Sequence, residues 1–340
     1  MAKSVKLADI AERLGVSVVT VSKALSGQKG VSEKMRDQII ALADELGYVQ
    51  PSVARQMART VSYNIGVLIR ENYLGGYASF YWQMYQQAAQ SAVERGCFSM
   101  LEVVNIRMEK EGLLPKLISE NKIDGLIIIG ELNEKYLQKL TGATEVPILF
   151  MDYMDRNQKF DCVIPDSFYG GYRVTDHLIG MGHKKIAYVG TLGATGSITD
   201  RYLGYMKALI ENGLTTRPEW VIEDRNGKDG NIDEENKLVL PKEMPTAFFC
   251  NCDLTAGILI KKLKSAGYRV PEDVSVAGFD DFIYPGVCDI DLTTYAVDIS
   301  SMAHITVSTL IKKISGEHYR KGTQVVDGKL ITRKSVKHLR

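Results

Sequence analysis

Apolar positions in the first fifty residues recur at helical spacing. Leu7, Ile10, Ala11 and Leu14 fall at i, i+3, i+4 and i+7, so one face of a short helix is apolar and must bury. Gly15 ends that helix, Val16 plugs the turn, and Ser17 is a good N-cap, its side-chain oxygen able to accept a backbone N–H of the next helix. Val21, Ala24 and Leu25 point this second helix back at the first and leave Val18, Val19, Ser22 and Lys23 outward. Ser32 caps a third helix with the stripe Met35, Ile39, Leu42, Ala43 and Leu46, stopped at Gly47 and Tyr48. The three stripes close a miniature core over 1–49. Val53, Ala54, Met57 and Ala58 also have helical spacing, but a helix of about eight residues is not stable alone in water. The segment 50–61 is therefore expected to order only against something else.

From residue 63 the period changes. Near-continuous apolar runs of strand length alternate with helical stripes: strands at 63–69, 98–104, 123–129 and 146–152, with helices at 79–94, 109–121 and 133–140. The series repeats with DCVI near 161, helix 167–181, strand 184–190, helix 201–212, a strand near Trp220, strand 245–250, helix 254–266 and strand 274–279. Apolar strands separated by helices need a parallel sheet covered on both faces. So many strands predict two sheets in two similar lobes with a cleft between them. Residues 224–244 are polar and acidic and read as a loop or distorted helix.

Length agrees with this division, since 340 residues exceed one domain at ~150 residues each. The net charge of +1 is uninformative until it is divided. Residues 1–60 hold nine Lys or Arg (3, 6, 13, 23, 29, 34, 36, 55, 59) against six Asp or Glu (9, 12, 33, 37, 44, 45), a net of +3, which leaves −2 for the rest. The basic excess sits on the small helical head, as contact with nucleic acid requires. The outward residues of its second helix suit a major groove: Lys23 for a guanine edge or a phosphate, Val18 and Val19 for a thymine methyl, Ser22 for a phosphate. A helical pair of this kind also occurs in cores and at interfaces.

Five cysteines (97, 162, 250, 252, 288) have no disulfide-framework spacing and read as reduced, mostly buried thiols. The five histidines offer no HxxxH, so no metal and no cofactor is expected. No N-terminal apolar h-region and no run of ~18 apolar residues is present, which points to a cytoplasmic protein without membrane contact.

The runs ADIAERLGVSVVTVSKAL, GVSEKMRDQIIALADELGY and VARQM, in this order and spacing, resemble the lac repressor (galactose repressor) family of bacterial transcription regulators. Weaker similarity continues to about residue 335. The resemblance implies a helix-turn-helix head (1–49), a hinge helix (50–61) and a two-lobed, periplasmic-binding-protein-like effector and dimerisation core (62–335). The first lobe would comprise about 62–162 and 292–322, the second about 163–291 and 323–335. It also implies a homodimer on near-palindromic operator DNA, contacted through Leu7, Ser17, Val18, Val19, Thr20, Ser22, Lys23, Lys29 and Ser32 in the head, and Ala54, Arg55 and Met57 in the hinge. In that family the hinge folds in the minor groove, where a Leu wedges between base pairs. Here Met57 stands at the wedge, and Gln50 and Pro51 replace the usual Pro and Asn.

Ligands of open α/β sheets lie off the carboxyl ends of the strands. That criterion selects Arg70 and Glu71, Asp152, residues 190–201, residues 251–253, and Asp280 with Asp281. Carboxylates, guanidinium groups and aromatic rings together fit a sugar, whose hydroxyls both donate and accept. The resemblance narrows the set to Arg201, Asp280 and Asp152, with Phe80 and Tyr81 as an aromatic pair, and the sequence criterion adds Arg70 and Asn251. Cys252 stands where the family has the Asn of an Asn-Asp pair. Asp280 also suits a turn cap, Arg201 an ion pair with Asp200, and Phe80 a core position. The run Gly190 to Gly196 resembles a phosphate loop but lacks its lysine, and reads as a mobile cleft loop. A sugar or sugar phosphate is the expected effector. Two rivals share the pattern: a two-lobed transport receptor, which needs export, and a sugar-processing enzyme with a fused head, for which no catalytic constellation stands out.

Overall fold

The computed structural model describes residues 7–25, 30–46, 48, 63–74, 79–155, 157–226, 231–233, 237–282 and 286–339. The chain divides into two compact units, Met1–Ser62 and Tyr63–Arg340. In the first, α1 (Leu7–Leu14), α2 (Val18–Leu25) and α3 (Glu33–Glu45) bury Ile10, Ala11, Val21, Ala24, Ile39 and Ala43 against one another. Gly15, at φ +63°, makes the turn that an L side chain resists, and Ser17 Oγ accepts the Thr20 N–H at 3.1 Å. The expected hinge at 50–61 lies outside the described residues.

The second unit alternates strand and helix: β1 (Asn64–Arg70), α4 (Phe80–Val93), β2 (Phe98–Val104), α5 (Ile106–Glu111), α6 (Lys116–Ser119), β3 (Gly125–Ile129), α7 (Glu134–Gly142), β4 (Ile148–Met151) and β5 (Asp161–Pro165). It continues with α8 (Ser167–Gly180), β6 (Ile186–Val189), α9 (Gly196–Glu211), β7 (Val221–Ile222), β8 (Ala247–Cys250), α10 (Asp253–Ser265) and β9 (Ser275–Ala277). The last elements are β10 (Thr294–Ala296), α11 (Ile299–Ser315), β11 (Thr323–Val326) and β12 (Lys329–Ile331). Among the described residues the strands form a parallel six-stranded sheet, β11-β5-β4-β3-β1-β2, and a parallel four-stranded sheet, β7-β6-β8-β9. β3 is wholly buried, as are β6 and β8, which is why their sequences run apolar without alternation. No helix among the described residues is long and apolar enough to cross a membrane.

Four boundaries differ from the sequence reading. The helix expected at 109–121 is two helices, because Gly112 (φ +65°) stops α5 and Pro115 restarts the chain as α6. The helix expected from 201 begins at Gly196, where Thr195 Oγ1 accepts the Ile198 N–H at 3.2 Å, so Arg201 sits inside a helix rather than at its start. The first lobe does not end at 162: β5 runs to Pro165 in the six-stranded sheet. The return crossings are also shifted. β10 stays with the second lobe through the Asp280–Ala296 bridge, and β11, expected there, pairs with β5 in the first, so the chain crosses near 297–298 and 327–328. Parallel pairing with buried β5 outweighs the sequence continuity of 323–331, whose second half pairs with β10 instead.

Candidate functional site

Each sheet reverses its strand order once, between β1 and β3 and between β6 and β8, and the carboxyl ends there and beside them open on one cavity of about 650 Å³. Arg70, Phe80, Tyr81 and Asp152 line it from the first lobe; Arg201, Asn251 and Asp280 line it from the second. All seven residues expected from sequence therefore meet in one place, although not in equal condition.

Arg201 rises from the second turn of α9. Its Nη1 donates to the Asn251 carbonyl at 2.5 Å, its guanidinium lies 3.8 Å over the Phe279 ring, and its Nη2 stands 3.2 Å from Asp280 Oδ1. This last contact is one of charge rather than of aligned hydrogen bonding: Arg201 Nε and Asp280 Oδ1 are both buried without a hydrogen-bond partner. A donor and an acceptor left without partners on two residues of one cavity wall are what ligand hydroxyls, which both donate and accept, can satisfy. Asp152 is the first residue beyond β4 and Asp280 the third beyond β9, at φ +61° and +108°. Backbone held there by a non-glycine residue is strained, and such strain collects at functional sites.

Burial pushes the Asp152 carboxyl up to about 6, against the pull of Arg201 and a hydrogen bond from Tyr81. Burial pushes Asp280 up to about 7, Arg201 opposing and Asp152 adding to the rise. Both carboxyls thus hold protons in the folded state at pH values where the unfolded chain, at 3.8, has lost them. Their contribution to stability is complete at low pH and is lost as pH rises through 6 and 7. His177 and His183, lowered by burial, act in the opposite sense. The carboxyl effect is therefore read as a difference: between pH 5 and 8 thermal stability should fall more steeply with pH in the wild type than in Asp280→Asn. Equal slopes would show that Asp280 titrates normally.

Asn251 lines the cavity but its side chain is spent. Nδ2 donates to Val189 O and to Asp224 Oδ2, and Oδ1 accepts from Arg225. Its role is to position the loop whose carbonyl holds Arg201. Arg70 is likewise engaged by Glu109 at 2.9 Å. Phe80 is buried and packs edge-on against Tyr81 and, from the other lobe, Phe282. It therefore serves as core as much as wall.

Sequence reasoning missed Asp224 and Arg225. Asp224 is fully buried and collects Thr191 N, Thr255 Oγ1 and Asn251 Nδ2 at 2.6–2.9 Å, with Arg225 Nε at 3.3 Å. Burial opposes its charge, yet Arg225 and these donors hold its pKa below the ordinary value. The signal was hidden because β7, which ends just before it, is two residues long. Tyr73 was missed too. It stacks on Tyr81 (4.3 Å, 13°), and Gly130, at φ +76°, lies where a Cβ would come within 2.8 Å of the Tyr73 ring and 3.0 Å of the Tyr81 ring. Gly130→Ala should cost about 1–3 kcal/mol in urea denaturation and weaken ligand binding by displacing Tyr81 from Asp152. Gly213→Ala, equally left-handed with nothing within 4 Å, should lose stability only. Unaltered ligand affinity in Gly130→Ala would remove the tyrosine pair from the site.

In the head, Val18 and Val19 are 45% and 62% exposed, and Ser22 and Lys23 are exposed beside them while Val21 and Ala24 bury. Ser17 Oγ caps α2 and lies 2.8 Å from Thr20 Oγ1; Ser32 Oγ faces the Met35 N–H at 3.4 Å. Leu7 packs on the small core. Lys29, Ala54, Arg55 and Met57 lie outside the described residues. Four of the cysteines are buried and Cys288 is half-buried, all as free thiols. No group of three or more His, Cys, Asp or Glu among the described residues is placed to hold a metal.

Residues 6–51 match the bacterial regulatory proteins of the lacI family, and residues 175–336 match the periplasmic binding protein-like domain. The transcriptional repressor PurR of Haemophilus influenzae (strain PittEE) is 30% identical over 338 residues, covering 97% of this chain and 98% of that protein. Among solved structures, the lac repressor dimer bound to operator and the anti-inducer ONPF is 26% identical with a TM-score of 0.63, over 98% of this chain and 100% of that one. The transcriptional regulator CelR in complex with cellobiose, 22% identical, superimposes with a TM-score of 0.67 over 97% and 99% of the two chains.

Proposed function

Since the chain belongs to the lacI family of bacterial regulatory proteins, and so is a DNA-binding transcriptional regulator with a small-molecule-binding core, we propose that it is a homodimeric repressor controlled by a sugar. Two heads read the half-sites of a near-palindromic operator through Val18, Val19, Ser22 and Lys23. The sugar sits in the interlobe cavity. It works in the cytoplasm, where the operator is, and turns over no substrate.

The observation that carries the sugar reading is the pair of orphaned polar atoms, Arg201 Nε and Asp280 Oδ1, on two residues of one cavity wall, with Asp152 on the wall of the other lobe. A polyol fills that gap, each hydroxyl donating to a carboxylate and accepting from the guanidinium, while Tyr81 offers an aromatic face. Cellobiose and ONPF are bound by the two similar regulators, which supports a saccharide in this chain as well. Because Asp152 belongs to one lobe and Arg201 and Asp280 to the other, a ligand gripping all three favours one lobe arrangement over another. It changes operator affinity only by that difference. The segment joining head to core passes the change on.

The test is a thermal-shift screen of mono- and disaccharides on the full-length protein, followed by operator binding with each sugar that stabilises it. A sugar that raises Tm and also changes operator affinity is expected. If a sugar of the screen is consumed on incubation, the enzyme reading replaces this one.

A further inference from the structure

We propose that the cavity is built for a free sugar, neutral or amino-substituted, and rejects the phosphorylated form. The proposal rests on the sugar reading above and narrows it by charge. Three guanidinium groups reach the cavity, and each already faces an acid: Arg70 faces Glu109, Arg225 faces Asp224, and Arg201 faces Asp280, which burial leaves partly protonated near pH 7. Neutralisation of Arg225 is strong, since burial would lower its pKa and Asp224 raises it instead. No lysine lines the cavity among the described residues, whereas Asp152, Glu131 and Glu134 do, beyond the three pairs. The wall therefore carries an excess of negative charge.

The element resembling a phosphate cradle is partly closed on itself. Residues 190–196 lead into α9 with the glycines and the helix N-terminus that commonly hold phosphate. Yet the Gly193 N–H donates to Thr199 Oγ1 at 3.1 Å, the Ala194 N–H to Thr191 O at 3.2 Å and the Ile198 N–H to Thr195 Oγ1 at 3.2 Å. Three of the donors a phosphate would use are thus taken by the loop itself. A phosphate ester carries about −1.5 to −2 charges at pH 7, and here it would sit among carboxylates with every arginine of the described wall already facing an acid. Protonated amines meet the opposite field, with Asp152 on the wall to receive one.

The experiment uses the full-length protein and matched probes: glucose and glucose 6-phosphate, fructose and fructose 1-phosphate, glucosamine, cellobiose, and inorganic phosphate against chloride at equal ionic strength. Inorganic phosphate should give no saturable rise in Tm. Any sugar that binds by calorimetry should bind at least about tenfold more tightly than its phosphate. In Asp152→Asn, which removes one wall charge, that preference should shrink. A preference that is purely steric would stay the same in this variant and would overturn the charge argument. Saturable binding of inorganic phosphate, or a sugar phosphate binding as tightly as its parent, overturns the proposal while leaving a sugar in the cleft. If no sugar binds and phosphate does not either, the sugar reading fails and the exclusion of anions stands.

Discussion

Arg201→Ala is expected to abolish the response to effector while leaving operator binding within about threefold of wild type. The side chain is buried and ties together three parts of the second lobe: the Asn251 carbonyl, the Phe279 ring and the Asp280 carboxylate. Removing it leaves Asp280 as a buried acid without its cation. Breaking one partner of a buried pair costs about 3–5 kcal/mol, less here because Asp280, already at about 7, escapes by holding its proton. The protein should fold with reduced stability. Effector affinity should drop by about a hundredfold or more, since both the donor and the ionised acceptor at the ligand are lost. Calorimetry measures the first effect and gel shift the second. A normal effector response in the variant would remove Arg201 from the site. Loss of operator binding with a native Tm would mean that Arg201 serves the DNA-bound state instead.

Replacing Val18 and Val19 together, for example with Asn and Gln, should change which operator is preferred. Both are exposed on the first turn of α2, while Val21 and Ala24 on its other face hold the head together. Losing methyl contacts and gaining amide groups that bond adenine edges is worth about 1–3 kcal/mol of base discrimination per contact. Selection from a randomised half-site should return a different sequence. Sugar affinity should be unchanged, because the substitutions lie in the other compact unit. An unaltered preferred site would show that α2 does not read bases.

The head was legible almost residue by residue, because a three-helix core this small has one way to bury its stripes and Gly15 and Ser17 mark the turn chemically. In the core, strands such as Gly125–Ile129 and Ala247–Cys250 were found to within two residues of their bounds because fully buried strands are apolar throughout. Arg201 and Asp280 were legible as residues, but their orphaned atoms were not: these depend on the angle at which α9 meets the β9 edge. Asp224 escaped because its importance comes from Thr191, Asn251 and Thr255, which are far away in sequence. The lobe bounds failed at 323–331 for a related reason. The run Gln324 to Ile331 reads as one segment, yet its two halves pair with strands of different lobes.

The coupling of cavity to operator is read most directly as operator affinity against the concentration of a sugar that calorimetry has shown to bind the core, in the wild type and in Arg201→Ala. A change of about tenfold or more is expected in the wild type, half-maximal near the calorimetric Kd, and none in the variant. A sugar that saturates the cavity while operator affinity stays constant would contradict that coupling.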